Sequence, residues 1–432
     1  MNNNLINNIM PEEIETWYFI ENSIKRIMNL YNFKEFRPSI LQLNSLYKKY
    51  FDFSQELDDK NIQNKILHIK DLDEYGLRPE GTLAVLNSEL AQNAITKSQK
   101  IFYTGPMFVK NNDNYLQYHQ IGAEILGSDN VISDIEIVQL AKTIFKELGI
   151  NDLFLEINSF GCEKCRPKYL NALKQFIHLN RNEVCDHCKK HLDQEPLVIL
   201  NCLNQSCKQI SNMAPINLDY LCNDCLENFT KIKKLLSNIG TNFTVNPNLS
   251  LNFNYYSRLV FNLTTNINSQ NQTNNSIKQN QKIIATGGRY NQLAKYTTQL
   301  PLAAVGFSFN IESVIEIIKQ KNPKSKKPRL FSVCVCSVAD SMELLILQVT
   351  QELHSYDIHT IIIENKIDID QVNQLSKLHE CNIILVFRED LIRDAKLMVL
   401  TYNHNQEKTN QDIILLSDLM DDILRKKKSI SY

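Results

Sequence analysis

Several short segments of this chain carry side chains whose types and spacing suit chemistry. Leu77-Arg-Pro-Glu-Gly-Thr82 offers a carboxylate (Glu80), a hydroxyl (Thr82) and a glycine that lets backbone approach a ligand. The same residues also read as a turn with a helix-capping box. In Tyr118-His-Gln-Ile-Gly-Ala-Glu124, the residues Gln120, Gly122 and Glu124 alternate on a strand. They therefore share one face, with the glycine leaving a floor for a ligand. Tyr255 and Tyr256, then Thr286-Gly-Gly-Arg-Tyr290, then Val305-Gly-Phe-Ser-Phe-Asn-Ile-Glu312 add phenols, a guanidinium and a further carboxylate. His119 reads as a packed strand residue.

Eight of the eleven cysteines form four pairs between residues 162 and 225: Cys162/Cys165, Cys185/Cys188, Cys202/Cys207 and Cys222/Cys225. Three pairs have the two-residue gap of zinc knuckles, and the spacing supports one or two structural zinc sites. A cluster of plain reduced thiols is the other reading. Cys334, Cys336 and Cys381 lie in or near apolar strands and read as core.

The elements that must position these residues follow from the hydrophobic pattern. Ile14, Trp17, Ile20, Ile24, Ile27 and Met28 recur at helical spacing over 11–32, with Pro11, Glu12 and Glu13 suited to a helix start. Short β-rich runs fill 66–157 around a helix near 133–148. A Cys-rich insert occupies 162–238, and strands resume at about 250–265. Asn266–Asn280 has no period and reads as a loop. A strand near 281–286 and a helix near 308–318 end a first body over 1–318. A Lys- and Pro-rich linker, 319–329, leads to strand–helix alternation over 330–432, which predicts a separate α/β domain with a largely parallel sheet.

The chain has 432 residues, room for two or three domains. Its 43% hydrophobic and 22% charged residues exclude wholesale disorder. A net charge of −1 excludes a diffuse polycation, so nucleic acid would be met by local patches such as Lys319–Arg329. No apolar stretch approaches the ~18 residues of a membrane span. Neither a signal-peptide pattern nor an Arg-rich presequence is evident, so the expected location is the cytoplasm, or a plastid stroma if organelle-encoded. The bias toward Asn, Ile and Lys fits an AT-rich genome. Glycine is scarce: eleven are present, against about 30 at a usual frequency. Five of them lie in the segments named above, and a sixth, Gly105, lies in Tyr103-Thr-Gly-Pro-Met-Phe.

Those segments, in their order along the chain, resemble the histidyl-tRNA synthetases, class II aminoacyl-tRNA synthetases. The resemblance runs over nearly the whole sequence. It implies an α+β fold: an antiparallel-sheet catalytic core bearing the Cys-rich insertion, plus a C-terminal α/β domain of the anticodon-binding kind. It also implies a homodimer with Pro38 at the interface, and histidine, ATP with Mg and tRNA(His) as ligands. By the resemblance, Glu80 and Thr82 hold the histidine amino group, Gln120 and Glu124 line the amino-acid pocket, Tyr256 and Tyr290 close round the ring, and Tyr255 is a further substrate-binding residue. An imidazole needs an acceptor carboxylate and phenol partners, so the residue types suit the role.

Three arginine positions of the family hold other residues here: Val109, Leu251 and Ser313. Carboxylate attack on ATP gathers about five negative charges, which arginine forks normally offset. Arg258 and Arg289 remain as candidate phosphate contacts, Arg289 as the candidate catalytic residue and Arg258 with Glu312 on the ATP side. Two family glycines are replaced by Asn252 and Asn310, a residue tolerant of left-handed backbone. The sequence thus supports a histidine–tRNA ligase first. A non-catalytic histidine-binding regulatory paralogue and a tRNA-binding module are the alternatives.

Overall fold

In the computed structural model the described residues are 8–47, 66–69, 71–111, 114–193, 196–249, 255–267, 281–321, 331–364, 366–378, 381–403 and 408–430. The chain forms two compact units, Met1–Ser325 and Lys326–Tyr432.

The first unit opens with helix α1 (Pro11–Leu30), which starts at a proline followed by Glu12 and Glu13 and buries Trp17, Ile20, Ile24, Ile27 and Met28. Strands β1 (Lys34–Glu35), β2 (Leu41–Leu43), β3 (Leu67–Ile69) and β4 (Leu72–Leu77) follow, then the short helix α2 (Thr82–Leu86). The long hairpin β5 (Gln99–Asn111) and β6 (Asn114–Leu126) leads to α3 (Val131–Glu147), whose N-terminus is capped by the Asn130 side chain accepting from the Ile132 amide. After β7 (Leu153–Ser159) the insert contributes α4 (Arg166–Leu179), α5 (Asp186–His191), α6 (Gln205–Asn212) and α7 (Asn223–Asn238). The unit closes with β8 (Thr244–Val245), β9 (Ser257–Asn266), β10 (Gln281–Arg289), α8 (Asn291–Thr298), β11 (Ala304–Asn310) and α9 (Ile311–Lys321).

Eight strands form one sheet in the order β1-β5-β6-β11-β10-β9-β7-β8, antiparallel except at its two ends. Period-two alternation divides its faces. Ile121, Ala123 and Ile125 of β6 and Phe307 and Phe309 of β11 pack with α1, α3 and α7. The other face carries Tyr103, Tyr256, Val260 and Tyr290 against Leu83 and Val85 of α2. Gln120, Gly122 and Glu124 belong to this second face, as the alternation requires.

In the second unit β12 (Ser332–Ser337), β13 (His359–Ile362) and β14 (Ile383–Phe387) are parallel, with α10 (Glu343–Ser355) and α11 (Ile369–Leu378) as crossovers. Beyond them β15 (Lys396–Asn403) and β16 (Lys408–Leu415) add antiparallel edges before α12 (Leu419–Ile430). The sheet is therefore mixed rather than largely parallel. Only four residues separate β15 from β16, too few for a parallel crossover.

Two boundaries differ from expectation. Residues 308–310 are strand, because Val305, Phe307 and Phe309 alternate, and the helix begins at Ile311. That helix runs to Lys321, so the expected linker starts as helix, and 322–330 lies outside the described residues. The loop expected over 266–280 also falls outside them beyond residue 267, as does the strand start at 250–254. Among the described residues, no helix is long and apolar enough to cross a membrane.

Candidate active site

Glu80 and Thr82 stand where β4 turns into α2. The Glu80 carboxylate accepts from the amides of Thr82 (2.7 Å) and Leu83 (2.8 Å), which caps the helix. Burial raises the Glu80 pKa against the pull of those amides. Behind them Arg78, 3% exposed, is a buried brace. Its guanidinium donates to the carbonyls of Pro106 (3.0 Å) and Pro38 (2.6 Å).

Strand β6 supplies the opposite wall. The Gln120 side-chain oxygen accepts from the Gly81 amide (2.9 Å), while its nitrogen donates to Ser308 Oγ on β11 (3.2 Å). Glu124, 1% exposed, receives hydroxyl protons from Thr82 Oγ1 (3.0 Å) and Tyr290 (2.6 Å). No cation pairs with it among the described residues. Burial pushes its carboxyl up to about 8, although both hydroxyls favour the charged form. Its oxygens remain able to accept hydrogen bonds from a ligand's N–H groups. Tyr255 and Tyr256 are buried with ring centroids 4.5 Å apart, and Tyr255 meets the Tyr290 ring edge-on at 6.5 Å.

The floor is not bare backbone. A β-carbon on Gly122 would lie 2.2 Å from the Tyr103 hydroxyl, and one on Gly81 would lie 2.1 Å from the same ring. The two glycines thus make room for the fully buried Tyr103, whose hydroxyl lies 3.3 Å from Thr82 Oγ1. Sequence reasoning placed a ligand over Gly122 and gave Tyr103 no part. The signal was two glycines at the same site, which a missing side chain on either would have explained.

The remaining arginines are disposed differently from expectation. Arg289 is wholly buried. Its Nε and Nη2 both donate to the Asp134 carboxylate at 2.9 Å, and Nη1 donates to the Ser128 carbonyl (2.9 Å) and to Asp129 (3.3 Å). Its fork is thus engaged from two sides by protein acceptors, a bracing arrangement rather than the free guanidinium expected of a phosphate contact. Arg258 is half-exposed and donates to Asp129 Oδ2 at 2.9 Å from a backbone φ of +54°. Asn291 Nδ2 donates to the same carboxylate (3.0 Å), so Asp129 joins β9 to the end of β10.

Glu312 accepts from the His119 amide (2.9 and 3.0 Å) and lies 2.8 Å from its Nδ1. His119 meets Trp17 edge-on at 4.8 Å, so the packed reading holds, with a carboxylate hydrogen-bond partner that the sequence did not reveal. Val109 is half-buried opposite Leu116, and Leu251 lies outside the described residues. Asn310 is not left-handed. Its side chain instead accepts from the Ser313 amide (2.8 Å), capping α9 in place of a family glycine.

The cysteines form two groups of four, each with sulfurs within 4.8 Å of one another: Cys162, Cys165, Cys222 and Cys225, and Cys185, Cys188, Cys202 and Cys207. The outermost pairs meet each other and enclose the inner two. Neighbouring sulfurs are 3.7 to 3.9 Å apart in the first group, and 3.7 and 3.8 Å in the second. That is too long for a disulfide, and it matches the ~3.8 Å edge of a tetrahedron with Zn–S of about 2.3 Å. Burial works against the Cys162 thiolate, yet the amides of Lys164 and Cys165 bring its pKa down to about 7. The Cys188 amide does the same for Cys185.

A family model described as histidyl-tRNA synthetase matches residues 8–314. A histidine–tRNA ligase of Thermodesulfovibrio yellowstonii is 30% identical over 423 residues, 97% of this chain and 96% of its own length. The chain belongs to the histidyl-tRNA synthetase family. Among solved structures, apo S. aureus histidyl-tRNA synthetase shares the fold with a TM-score of 0.78 at 22% identity, covering 99% of both chains. An ATP phosphoribosyltransferase regulatory subunit/histidyl-tRNA synthetase from Bacillus halodurans gives 0.60 at 16% identity, covering 88% of this chain and 96% of its own. The α+β architecture with its Cys-rich insert and C-terminal α/β unit is that of a histidyl-tRNA synthetase. Within it Glu80, Thr82, Gln120, Glu124, Tyr256 and Tyr290 line one face of the sheet.

Proposed function

We propose that this chain is a histidine–tRNA ligase, which activates histidine with ATP to histidyl-adenylate and transfers it to tRNA(His). The single observation that carries the reading is Glu124, a buried carboxyl held by tyrosine and threonine hydroxyls, among them Thr82 and Tyr290, on a synthetase sheet. In this reading Glu124 and Tyr290 take the imidazole nitrogens, Glu80 and Thr82 the α-amino group, and Gln120, Tyr255 and Tyr256 close the walls. The histidine carboxylate then attacks the α-phosphorus, with pyrophosphate leaving. Mg bound with ATP supplies charge neutralisation, and Arg258 with Glu312 stand on the ATP side.

The enzyme acts as a homodimer, with the Pro38 turn at the interface. The C-terminal unit reads the anticodon, and the insert approaches the acceptor arm. The cysteine groups hold structural zinc, for which four thiolates at tetrahedral spacing are a suitable donor set. The work is done where the tRNA is used, in a cytoplasm or a plastid stroma.

The replacement of three family arginines by Val109, Leu251 and Ser313 favours a second reading, a histidine-binding regulatory paralogue without activation chemistry. Histidine-dependent ATP–pyrophosphate exchange separates the two. Exchange supports the ligase; histidine binding with no exchange supports the paralogue.

A further inference from the structure

The two cysteine groups occupy unequal places in the fold. The inner one joins only residues of the insert, where Cys188 and Cys207 pack with Tyr169, Leu173, Ile177 and Leu192 in the insert's own core. The outer one joins the insert's two ends. Cys162 and Cys165 follow directly on β7, and Cys222 and Cys225 open α7, whose Phe229, Ile232 and Leu236 belong to the core of the main sheet.

Residues flanking Cys162 and Cys165 make three hydrogen bonds to the candidate pocket. The Phe160 amide donates to the Arg258 carbonyl and the Arg258 amide to the Gly161 carbonyl, both at 2.8 Å. Arg166, the residue after Cys165, donates from Nη1 to the Tyr256 carbonyl at 3.0 Å. The backbone of Tyr256–Arg258 is thus held on both sides of Ser257. Arg258 has φ +54° and Gly161 φ +69°, and a β-carbon on Gly161 would lie 2.5 Å from Cys165 Sγ. A non-glycine residue keeps a left-handed conformation only where its surroundings over-determine it. Here the surroundings are Phe160 and Gly161, which lead straight into the Cys162–Cys165 turn, together with Asp129.

We propose that zinc at the outer tetrathiolate positions Tyr256 and Arg258, while the inner site only holds the insert together. The proposal rests on the zinc and histidine readings above. Coordination ties the Cys162–Cys165 turn to the first turn of α7, whose apolar face is anchored in the sheet core. Without the ion the turn keeps its own backbone bonds, from the Cys165 and Arg166 amides to the Cys162 carbonyl, but only thiol contacts join it to α7. Tyr256 forms a wall of the amino-acid pocket, and Arg258 pairs with Asp129, so loosening this turn loosens both.

The test uses the full chain, with zinc measured by elemental analysis, histidine affinity by titration calorimetry, and the thermal midpoint read alongside. Two zinc ions per chain are expected, one per group. Cys222→Ser and Cys202→Ser should each lose one. Cys222→Ser should weaken histidine binding about tenfold or more, and Cys202→Ser should leave it within about twofold. Arg166→Met should keep both ions and still weaken histidine binding. Loss of one ion from each cysteine variant with equal histidine affinities overturns the positioning role. If Cys222→Ser does not fold, an unchanged affinity in Arg166→Met overturns it as well. A zinc-free native chain that binds histidine overturns the metal reading itself, and a zinc-loaded chain that does not bind histidine overturns the ligand reading.

Discussion

Gly306 lies opposite Glu124 in the β11–β6 ladder, and a β-carbon there would sit 1.6 Å from the Glu124 Oε2 atom. The carboxylate that carries the functional reading therefore occupies the space of a missing side chain on the neighbouring strand. Gly306 has an ordinary backbone angle, so its requirement is for room and not for conformation.

Gly306→Ala should accordingly displace Glu124 from Tyr290 and strain the β11–β6 ladder, since the added carbon would also lie 2.6 Å from the Ala123 carbonyl oxygen. Overpacking of this kind costs about 1–3 kcal/mol. Calorimetric titration with histidine should show affinity down about tenfold or more. Unaltered affinity would remove Glu124 from the pocket.

The pH dependence of stability follows from Glu124. Its carboxyl titrates at about 8 when folded, far above the ~4.3 of an unfolded chain. Between those values the folded state binds the extra proton, so stability is greatest at the acid end and falls as pH rises toward 8. Glu124→Gln keeps the hydrogen-bonding shape and removes the titration. Thermal midpoints recorded from pH 5.5 to 8.5 should therefore fall less steeply in the variant than in the native chain. Parallel profiles would contradict the assignment.

Asp134→Asn should test the structural role of Arg289. The substitution leaves a wholly buried guanidinium without its bidentate carboxylate, which typically costs about 3–5 kcal/mol. A urea midpoint shifted by that amount, with histidine affinity preserved in the folded fraction, is the expected result. Loss of exchange activity without loss of stability would return Arg289 to the chemistry.

Arg258→Gln should separate the ATP side from the amino-acid side. If its guanidinium leaves Asp129 to meet phosphate, pyrophosphate exchange should drop about 10²–10³-fold, the usual cost of one preorganised donor. Histidine affinity should stay within about twofold. Undiminished exchange would make Arg258 a partner of Asp129 and nothing more.

That the proposed pocket residues share one face was legible in the sequence because the determinants are local. Glu80 and Thr82 stand two residues apart at a helix start, and Gln120, Gly122 and Glu124 alternate along one strand. Period-two and period-3.6 patterns fix which residues share a face whatever lies elsewhere in the chain. The same holds for α1, whose apolar spacing and Pro11 start define it without tertiary help.

What the sequence alone could not show depends on strand order and on residues far apart in the chain. Arg289 meets Asp134 across 155 positions, and His119 meets Glu312 across 193. Nothing local distinguishes a buried structural arginine from a phosphate-binding one. Four cysteine pairs permit several groupings, and only the return of α7 to the end of β7 joined the first pair to the last across 60 residues. Tyr103 was hidden for the same reason: Gly81 and Gly122 make room for one ring, and that ring becomes visible only when β5, β6 and α2 are packed together. Local pattern determined which side chains could do the chemistry. Tertiary packing decided which of them are free to do it, since burial and long-range partners set a group's charge and reach.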